Sequence, residues 1–278
     1  MTIARPSSEP HYGLQPTRLL AIHDETPTLR SVSLEIDGFD FSAGQSLMLD
    51  CGTGPFEAPI SSDPMFLPHV RVTLPANLLP ANLELNHPVR VAGPCGGEWP
   101  MMDLLGRDVL MVGHDLGIAT LLPLVVELVR VRESLGRLTL VVGVGQGGVL
   151  PFRQELLQFA SEEGVNLLIA DDADSEDGGL AELAEESLVV SGRSASACVA
   201  APTRVAAEVV DRLHARGLGP DLMHVASACH WTCEGGECGR CRHGPNEVDR
   251  AGAIARADHW RPASIPRVLP TRRASLRA

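Results

Sequence analysis

The hydrophobic pattern of the sequence changes near residue 100, and this change limits the folds that the chain can adopt. Between residues 18 and 93, short segments such as "LRSVSLEI" alternate polar and apolar residues and are separated by turn signals. Such alternation predicts β-strands with one buried face, and no helical period interrupts it. The first part of the chain is therefore predicted to be a small antiparallel barrel.

After "GPCGGEWP" the pattern becomes an alternation of buried strands and helices. "DVLMVG" (108–113) and "RLTLVVGV" are apolar runs of strand length, and each precedes a helical segment. The same alternation continues through "VNLLIADD", "SACVAA" and "LMHVAS". It predicts a doubly wound parallel sheet, a fold in which ligands bind beyond the carboxyl ends of the strands.

Charge and composition exclude several classes of function. All 23 basic residues are arginine, so no lysine amine is available for Schiff-base or P-loop chemistry. The net charge of −12 and the 4% aromatic content argue against a nucleic-acid binder. Residues 250–278 hold seven arginines and one acid, which leaves −18 on residues 1–249. This basic tail favours docking on a partner subunit.

The sequence predicts no membrane insertion. The longest apolar stretch, Leu116 to Val126, is too short to cross a bilayer. The first ten residues lack the apolar core of a signal peptide, so we expect a cytoplasmic protein. In that reducing compartment, clustered cysteines indicate a metal site rather than disulfides.

Four of the seven cysteines lie close together, at Cys229, Cys233, Cys238 and Cys241. The last three have the spacing C-x4-C-x2-C, which is typical of plant-type [2Fe–2S] proteins. A structural zinc site, with His230 or His243 replacing one thiolate if needed, is an alternative, and so is an empty, vestigial site. No cysteine follows Cys241, so the fourth ligand is Cys229, a histidine or a residue of a partner.

The segment "VLMVGHDLGIATLLP" has the order strand, turn, helix that a dinucleotide-binding loop requires. Gly113 ends the strand and Gly117 lies at the start of the helix, whose N-terminus suits a diphosphate. The carboxylate of Asp115 would repel phosphate, so plain helix–strand packing is the alternative interpretation. His114 is expected to be an exposed loop residue.

The remaining cysteines, Cys51, Cys95 and Cys198, are isolated in the sequence. An isolated cysteine is predicted to be a small packing residue rather than a reactive thiol. The spacing of serine, histidine and aspartate residues singles out no catalytic triad, so no catalytic residue is predicted.

The order of these segments resembles the ferredoxin-reductase-like electron-transfer subunits, in particular the gamma subunits of soluble nickel–iron hydrogenases. The corresponding subunits of anaerobic sulfite reductase and of dihydroorotate dehydrogenase are similar. The resemblance covers roughly residues 17–245 and includes "FSAGQSLML", "EAPISS" (57–62), "GPCG" and "CEGGECGRC".

The resemblance implies particular binding residues. "EAPISS" resembles the family's flavin-binding strand, in which Pro59, Ile60 and Ser61 would line FAD. The strand–turn–helix segment resembles the family's nucleotide loop, in which four residues would bind NAD(P): Gly113, Gly117, Ala119 and Thr120. Cys233, Cys238 and Cys241, with Cys229, would hold the [2Fe–2S] cluster.

The resemblance also implies a domain order and a function. The predicted order is a loose N-terminus (1–16), an FAD-type β-barrel (17–100), an NAD(P)-type α/β domain (101–227), a [2Fe–2S] loop (228–245) and an Arg-rich tail (246–278). The implied function is electron transfer between NAD(P)H, FAD, the cluster and other subunits of a redox complex.

Several family features are missing from the sequence. The second glycine and the proline of the family's Gly-Gly-x-Gly-x-Ala-Pro loop are absent from residues 113–120. A Gly-x-Val-Thr-type phosphate turn is not evident in "RVTLPANLLP", and the fourth downstream cysteine is lacking. A structural or adaptor subunit, with degenerate nucleotide sites and only a metal site, is therefore the alternative hypothesis.

Overall fold

A computed structural model describes residues 13–85, 87–145, 148–170, 179–188, 194–227, 242–243, 246–247 and 254–260. These residues contain two six-stranded sheets and a short two-stranded hairpin. No helix among them has the length and apolar character needed to cross a membrane. The two sheets correspond to the two parts of the chain that the hydrophobic pattern separates.

The first sheet is the predicted antiparallel barrel. Its strands are β1 Gln15–Asp24, β2 Leu29–Glu35, β3 Ser46–Asp50, β4 Pro55–Pro59, β5 His69–Pro75 and β6 Val89–Cys95. They lie in the order β4-β3-β6-β1-β2-β5. A β-bridge between Ile60 and Val72 joins the two ends of this order, so the sheet closes on itself. The Ser61 N–H donates to the Arg71 carbonyl at 2.8 Å beside this bridge.

Alternation along the strands decides which side chains fill the barrel. Val70, Val72 and Leu74 on β5 are fully buried in the barrel core. Arg71 and Thr73, between them, point to the opposite face of the strand. Burial of each valine or leucine contributes about 1.5–3 kcal/mol, which holds the register of β5. The outer face of β5 is thereby turned toward the second domain.

The second sheet has the predicted strand–helix alternation. Its strands are β7 Asp108–His114, β8 Leu138–Gly143, β9 Asn166–Ala170, β10 Ala195–Ala201, β11 Met223–Ser227 and β14 Ile254–Arg256, in the order β14-β11-β10-β7-β8-β9. The helices are α1 Met101–Leu104, α2 Leu116–Arg130, α3 Arg153–Glu162, α4 Gly179–Ser187 and α5 Thr203–Ala215. The hairpin consists of β12 Arg242–His243 and β13 Asn246–Glu247.

Five strands of this sheet are parallel, and β14 is antiparallel to β11. The parallel strands and the helices on both faces confirm the doubly wound fold predicted from the sequence. Apolar residues of α2 and α3 pack on one face of the sheet, and those of α4 and α5 pack on the other. The α2 face also contacts the barrel through Leu29, Ala43 and Trp99.

Strand β14 is a feature that the sequence analysis did not predict. It lies within the segment interpreted as an Arg-rich tail, yet Ala255 pairs with Val225 and Ile254 with Ala226. Trp260, four residues beyond this strand, is only 5% exposed and belongs to the core on the α5 face. Part of the predicted tail is therefore an integral piece of the α/β domain.

Helix α2 approaches strand β10 unusually closely at Gly117. A Cβ atom on Gly117 would lie 2.0 Å from the Ala200 carbonyl oxygen and 2.5 Å from its carbon. No side chain can occupy that space, because the obstacle is backbone rather than a movable side chain. The glycine predicted at the helix start is thus required by packing between the helix and the sheet.

We predict that Gly117→Ala lowers the free energy of unfolding by about 3 kcal/mol, because the methyl group must displace the backbone of β10. Urea denaturation followed by circular dichroism measures the change. Gly219→Ala is the matched control, since its Cβ would meet the Asp221 carboxylate, which can rotate away. Equal stability of the two variants would contradict the close contact.

Candidate functional site

The α/β sheet, in the part that the structure describes, has one topological switch point, between β7 and β10. From β7 the chain proceeds to β8 and β9 on one side, and β10 and β11 then lie on the other side. In open α/β sheets, ligands bind beyond the carboxyl ends of the strands at such a point. We call the ends of β7, β8, β10 and β11, at His114, Gly143, Ala201 and Ser227, the carboxyl edge.

The structure brings the four predicted NAD(P) residues together at this switch point. Gly113 is the next-to-last residue of β7 and lies against α2, where a Cβ would lie 3.0 Å from side-chain atoms of Ile118 and Leu121. Gly117, Ala119 and Thr120 lie in the first turns of α2, and all are buried. These buried residues therefore expose little or no side chain to a ligand at this edge.

His114 is not the exposed loop residue that the sequence analysis expected. It is the last residue of β7 and is only 4% exposed. The strand extends one residue further than the glycine pattern suggests, because its pairing with β8 continues to Gly143. His114 therefore belongs to the floor of the carboxyl edge.

Asp115, the residue after β7, has a strained backbone. Its φ of 52° and ψ of −124° belong to a region that glycine adopts easily and other residues rarely adopt. Such a conformation costs on the order of 1–3 kcal/mol. Among the described non-glycine residues, Phe152, directly before α3, is the other with positive φ. Both strained residues thus precede helices that begin at the carboxyl edge.

In the predicted flavin strand, Ile60 faces the barrel core, and alternation along the strand places Pro59 and Ser61 on the outer face. Pro59 and Ile60 are buried, and Ile60 belongs to the barrel core. Ser61 lies on the outer face, where its Oγ is 2.8 Å from Thr73 Oγ1. Of the three residues predicted to line FAD, only Ser61 directs a polar side chain toward the α/β domain.

Ser61 is part of a buried chain of hydrogen bonds on the outer face of the barrel. Ser31 Oγ donates to Glu25 Oε1 at 2.7 Å and lies 2.8 Å from Thr73 Oγ1. A hydroxyl carries a single proton, so Thr73 donates to Ser31 and Ser61 donates to Thr73. Arg71 Nε completes the chain by donating to Ser61 Oγ at 3.2 Å.

The same arginine joins the barrel to helix α3. Arg71 donates from both terminal nitrogens to the Glu155 carboxylate, at 2.6 and 2.9 Å. It also donates to the Ser61 carbonyl at 2.7 Å and lies over the Phe152 ring, 5.3 Å from its centroid. The planar guanidinium suits this combination of a two-point ion pair and ring stacking. Sequence analysis missed the pair because nothing in one sequence connects residues 84 positions apart.

A cavity of about 580 Å³ lies between the barrel and helices α2 and α3. Its wall is formed by Ser33, Ser61, Ser62, Asp63, Phe66, His69, Val70, Arg71, Leu122, Val126, Glu155, Gln158, Phe159 and Glu163. The cavity therefore combines an apolar surface with several hydroxyl groups. Among these described wall residues, Arg71 is the one arginine and is already paired with Glu155, whereas three residues carry carboxylates.

The three isolated cysteines are packing residues, as predicted. Cys51 and Cys198 are buried, and Cys95 is half-buried with its Sγ donating to the Ser46 carbonyl at 3.3 Å. Burial raises the pKa of Cys51 to about 11 and that of Cys95 to about 12. Burial also raises the pKa of Cys198 far above its ordinary value. None of these thiols is activated.

The four clustered cysteines lie outside the described residues, so their geometry remains a prediction. Within the described part of the chain, no group of His, Cys, Asp and Glu residues is arranged to hold a metal ion. The structure does locate the two ends of the cysteine-containing segment. Strand β11 ends at Ser227, and β14 begins at Ile254, which pairs with Ala226.

The fold and the switch-point site define a class of protein. An antiparallel barrel followed by a doubly wound α/β domain is the architecture of ferredoxin–NADP reductase-like proteins. This finding confirms the resemblance that the sequence motifs indicate. No protein-family model matches the chain.

Individual relatives support this class. The chain is 24% identical over 259 residues to sulfhydrogenase 1 subunit gamma of Pyrococcus furiosus, covering 87% of this chain and 88% of the relative. It is similar in structure to the Amycolatopsis cytochrome P450 reductase GcoB, with TM-score 0.65 and 18% identity over 77% of this chain and 69% of that one. For a Neisseria gonorrhoeae ferredoxin NADP+ reductase with bound FAD and NADP, the TM-score is 0.60 at 16% identity, over 73% and 92% of the two chains.

We predict that the Arg71–Glu155 pair stabilises the contact between the domains by about 1 kcal/mol. The value is modest because the two side chains are 24% and 40% exposed and solvent screens them. A double-mutant cycle with Arg71→Met and Glu155→Gln, followed by urea denaturation, measures the coupling energy, which should fall in high salt. The exposed pair Arg18–Glu35 is the control and should show no measurable coupling. Equal coupling in both pairs would contradict the bridge.

We predict that Cys51, Cys95 and Cys198 resist alkylation in the folded protein. With a pKa of about 11, only about a thousandth of Cys51 is thiolate at pH 8, and Cys95 and Cys198 are less ionised still. Brief treatment with iodoacetamide, followed by peptide mass spectrometry, measures the labelling. The same treatment in urea should label all three, and rapid labelling of Cys198 without urea would contradict its burial.

Proposed function

We propose that this chain is an electron-transfer subunit of a cytoplasmic multi-subunit oxidoreductase of the hydrogenase type. It would pass electrons between NAD(P)H, FAD and a [2Fe–2S] cluster to a partner subunit. The observation that carries the proposal is the position of the cysteine-containing segment, which starts and ends at the carboxyl edge of a reductase-type α/β domain. Similarity to a sulfhydrogenase gamma subunit along nearly the whole chain supports the proposal that the chain is one subunit of a larger complex.

The position of the segment suits a relay between the two domains. Strands β11 and β14 are antiparallel neighbours, so residues 228–253 leave and re-enter the sheet at the same place. The ends of β11 and β14 therefore lie at the carboxyl edge, where Ala201 ends β10 and Asp115 follows β7. Ile254 also reaches the barrel, because a Cβ on Gly44 would lie 2.4 Å from its Cδ1. A cluster held by this segment would therefore be close to both domains.

The donor atoms fit an iron–sulfur cluster. Cys233, Cys238 and Cys241 supply three thiolates, and Cys229, His230, His243 or a partner residue would supply the fourth ligand. Thiolates are also good zinc ligands, so the same residues would hold a structural zinc ion in the alternative function. The cluster, when bound, would accept and release one electron at a time.

The outer face of the barrel fits the ring of a flavin better than its phosphates. The Ser61 hydroxyl and the cavity beside it offer hydrogen-bonding groups next to an apolar surface. Residues 72–89 contain no arginine or lysine. The arginines that flank this segment in the sequence are engaged, since Arg71 binds Glu155 and Arg90 binds Asp50. Within the described residues of this segment, a diphosphate would rely on hydroxyl and backbone N–H groups.

In the proposed function, the described residues fix the position of the Ser61 hydroxyl and hold the two domains together. The chain from Arg71 through Ser61 and Thr73 to Ser31 and Glu25 fixes the Ser61 hydroxyl against the α/β domain. The contact of Arg71 with Glu155 links that hydroxyl to the start of α3. Trp99 joins the barrel to helix α2, because its Nε1 donates to the Thr120 carbonyl at 3.1 Å within the core. FAD, when bound, would divide a two-electron hydride step into single-electron steps.

The proposal predicts that the anaerobically purified complex contains flavin, iron and sulfide, and that its reduced form gives the electron paramagnetic resonance signal of a [2Fe–2S] cluster. Replacing Cys233, Cys238 or Cys241 by serine should abolish the signal and the iron content, because each removes a thiolate ligand. Cys198→Ser is the matched control and should retain both, since Cys198 lies in the sheet core. Separate Cys229→Ser and His243→Ala variants identify the fourth ligand.

Two results would reject the proposal. Absence of both flavin and iron–sulfur absorption in the intact complex would show that the proposed electron carriers are missing. Zinc in place of iron, with an unchanged complex, would favour a structural or adaptor subunit. Two observations support that second function: the carboxylate of Asp115 at the nucleotide turn, and the absence of cations in residues 72–89.

A further inference from the structure

We propose that the ion pair of Arg71 with Glu155 is a gate that separates the Ser61 hydroxyl from the cavity between the barrel and helices α2 and α3. The gate must open before the ring of a bound flavin can reach that hydroxyl. The inference rests on the flavin site of the proposed function and adds a conformational step that controls access to it. We use the word gate for these two side chains together.

Ser61 is covered although it belongs to the cavity wall. The residue is only 1% exposed, so solvent hardly reaches it. Two donors of Arg71 lie against it: Nε donates to the Ser61 hydroxyl at 3.2 Å, and a terminal nitrogen donates to the Ser61 carbonyl at 2.7 Å. Arg71 itself lines the cavity. A molecule in the cavity therefore meets the guanidinium group before it meets the hydroxyl.

The α/β domain holds the guanidinium group in this position. Glu155 on α3 accepts from both terminal nitrogens of Arg71, at 2.6 and 2.9 Å. The guanidinium carbon also lies 5.3 Å from the centre of the Phe152 ring, directly before α3. Arg71 belongs to β5 of the barrel, so the gate spans the interface between the domains.

The contact is weak enough to open. The side chains of Arg71 and Glu155 are 24% and 40% exposed, and solvent screens the attraction between charges at such positions. Exposed side chains change rotamer on the picosecond to nanosecond timescale, so opening requires no rearrangement of the fold. Asp63, another carboxylate of the cavity wall, is already paired with Arg130 and does not compete for Arg71.

The open gate presents two groups that suit the polar edge of a flavin ring. Ser61 offers its hydroxyl, and the released Arg71 offers a planar set of N–H donors for carbonyl and nitrogen acceptors. Apolar wall residues, among them Leu122 and Phe159, suit the faces of the ring. Because a ligand binds only the open fraction of the protein, closure of the gate weakens its apparent affinity in proportion.

Access to position 61 is measurable without any flavin. In a Ser61→Cys variant of the full chain, a small thiol reagent, methyl methanethiosulfonate, modifies position 61 at a rate that peptide mass spectrometry follows. Adding Glu155→Gln should raise this rate about fivefold, because glutamine has nearly the same size but lacks the charge that holds Arg71. Glu163→Gln removes another carboxylate of the same wall and should leave the rate unchanged.

Two further measurements in the Ser61→Cys background separate the gate from general burial. Arg71→Ala removes the cover itself, so it should raise the modification rate at least as much as Glu155→Gln does. High salt should accelerate modification when Glu155 is present and have little effect on Glu155→Gln, because salt screens the ion pair. Circular dichroism establishes that each variant remains folded under the labelling conditions.

Fluorescence titration of the flavin-depleted complex with FAD tests the effect on the cofactor. Glu155→Gln, with Ser61 intact, should lower the apparent dissociation constant for FAD about fivefold, because a larger fraction of the protein is open. Glu163→Gln controls for the change in net charge, and it should bind FAD as the unmodified chain does.

The proposal is overturned by any of three results: unchanged modification of position 61 in both Glu155→Gln and Arg71→Ala, an equal acceleration in Glu163→Gln, or unchanged FAD affinity of Glu155→Gln in a complex that binds FAD. Its failure is distinguishable from failure of the proposed function. If no variant binds FAD but modification accelerates as expected, the flavin role is rejected and the closed contact over Ser61 is retained. A flavin-containing complex with unchanged modification rates rejects the gate and retains the function.

Discussion

The close contact of helix α2 with strand β10 is the constraint on which the rest of the structure depends. Because Gly117 has no side chain, the helix begins almost in contact with the backbone of Ala200. This contact fixes the direction of α2 across the sheet and places Thr120, whose carbonyl accepts the Trp99 indole N–H, at the domain interface. The barrel is thereby attached to the helix that forms one side of the switch point.

A second attachment between the domains is polar and involves helices α2 and α3. Arg71 connects the outer face of the barrel to α3, and Arg130 at the end of α2 pairs with Asp63. Apolar packing holds the domains near the switch point, whereas ion pairs hold them along α2 and α3. Arg71, Glu155 and Asp63 also line the cavity, so any change in the angle between the domains would alter its volume.

The sequence predicted those features that depend on local patterns. Alternation in β2 and β5 identified the barrel, and strand–helix alternation identified the α/β sheet, because burial imposes these periods directly. Strand β14 was missed, since three residues carry no period and gain their stability from pairing with β11. The strained backbone of Asp115 and the Arg71–Glu155 pair were missed because both are consequences of tertiary packing. The cysteine spacing predicts a cluster, but its ligand geometry depends on residues beyond those described.

The antiparallel return of β14 has a thermodynamic consequence for metal binding. Pairing of Ala226 with Ile254 brings the two ends of residues 228–253 together before any ligand binds there. The entropic cost of closing that loop is therefore offset by sheet pairing and by the burial of Trp260, rather than by metal–thiolate bonds. Assembly of a cluster would then need only local ordering of the cysteines. Conversely, separation of this edge strand from the sheet would make the loop longer and its metal affinity lower.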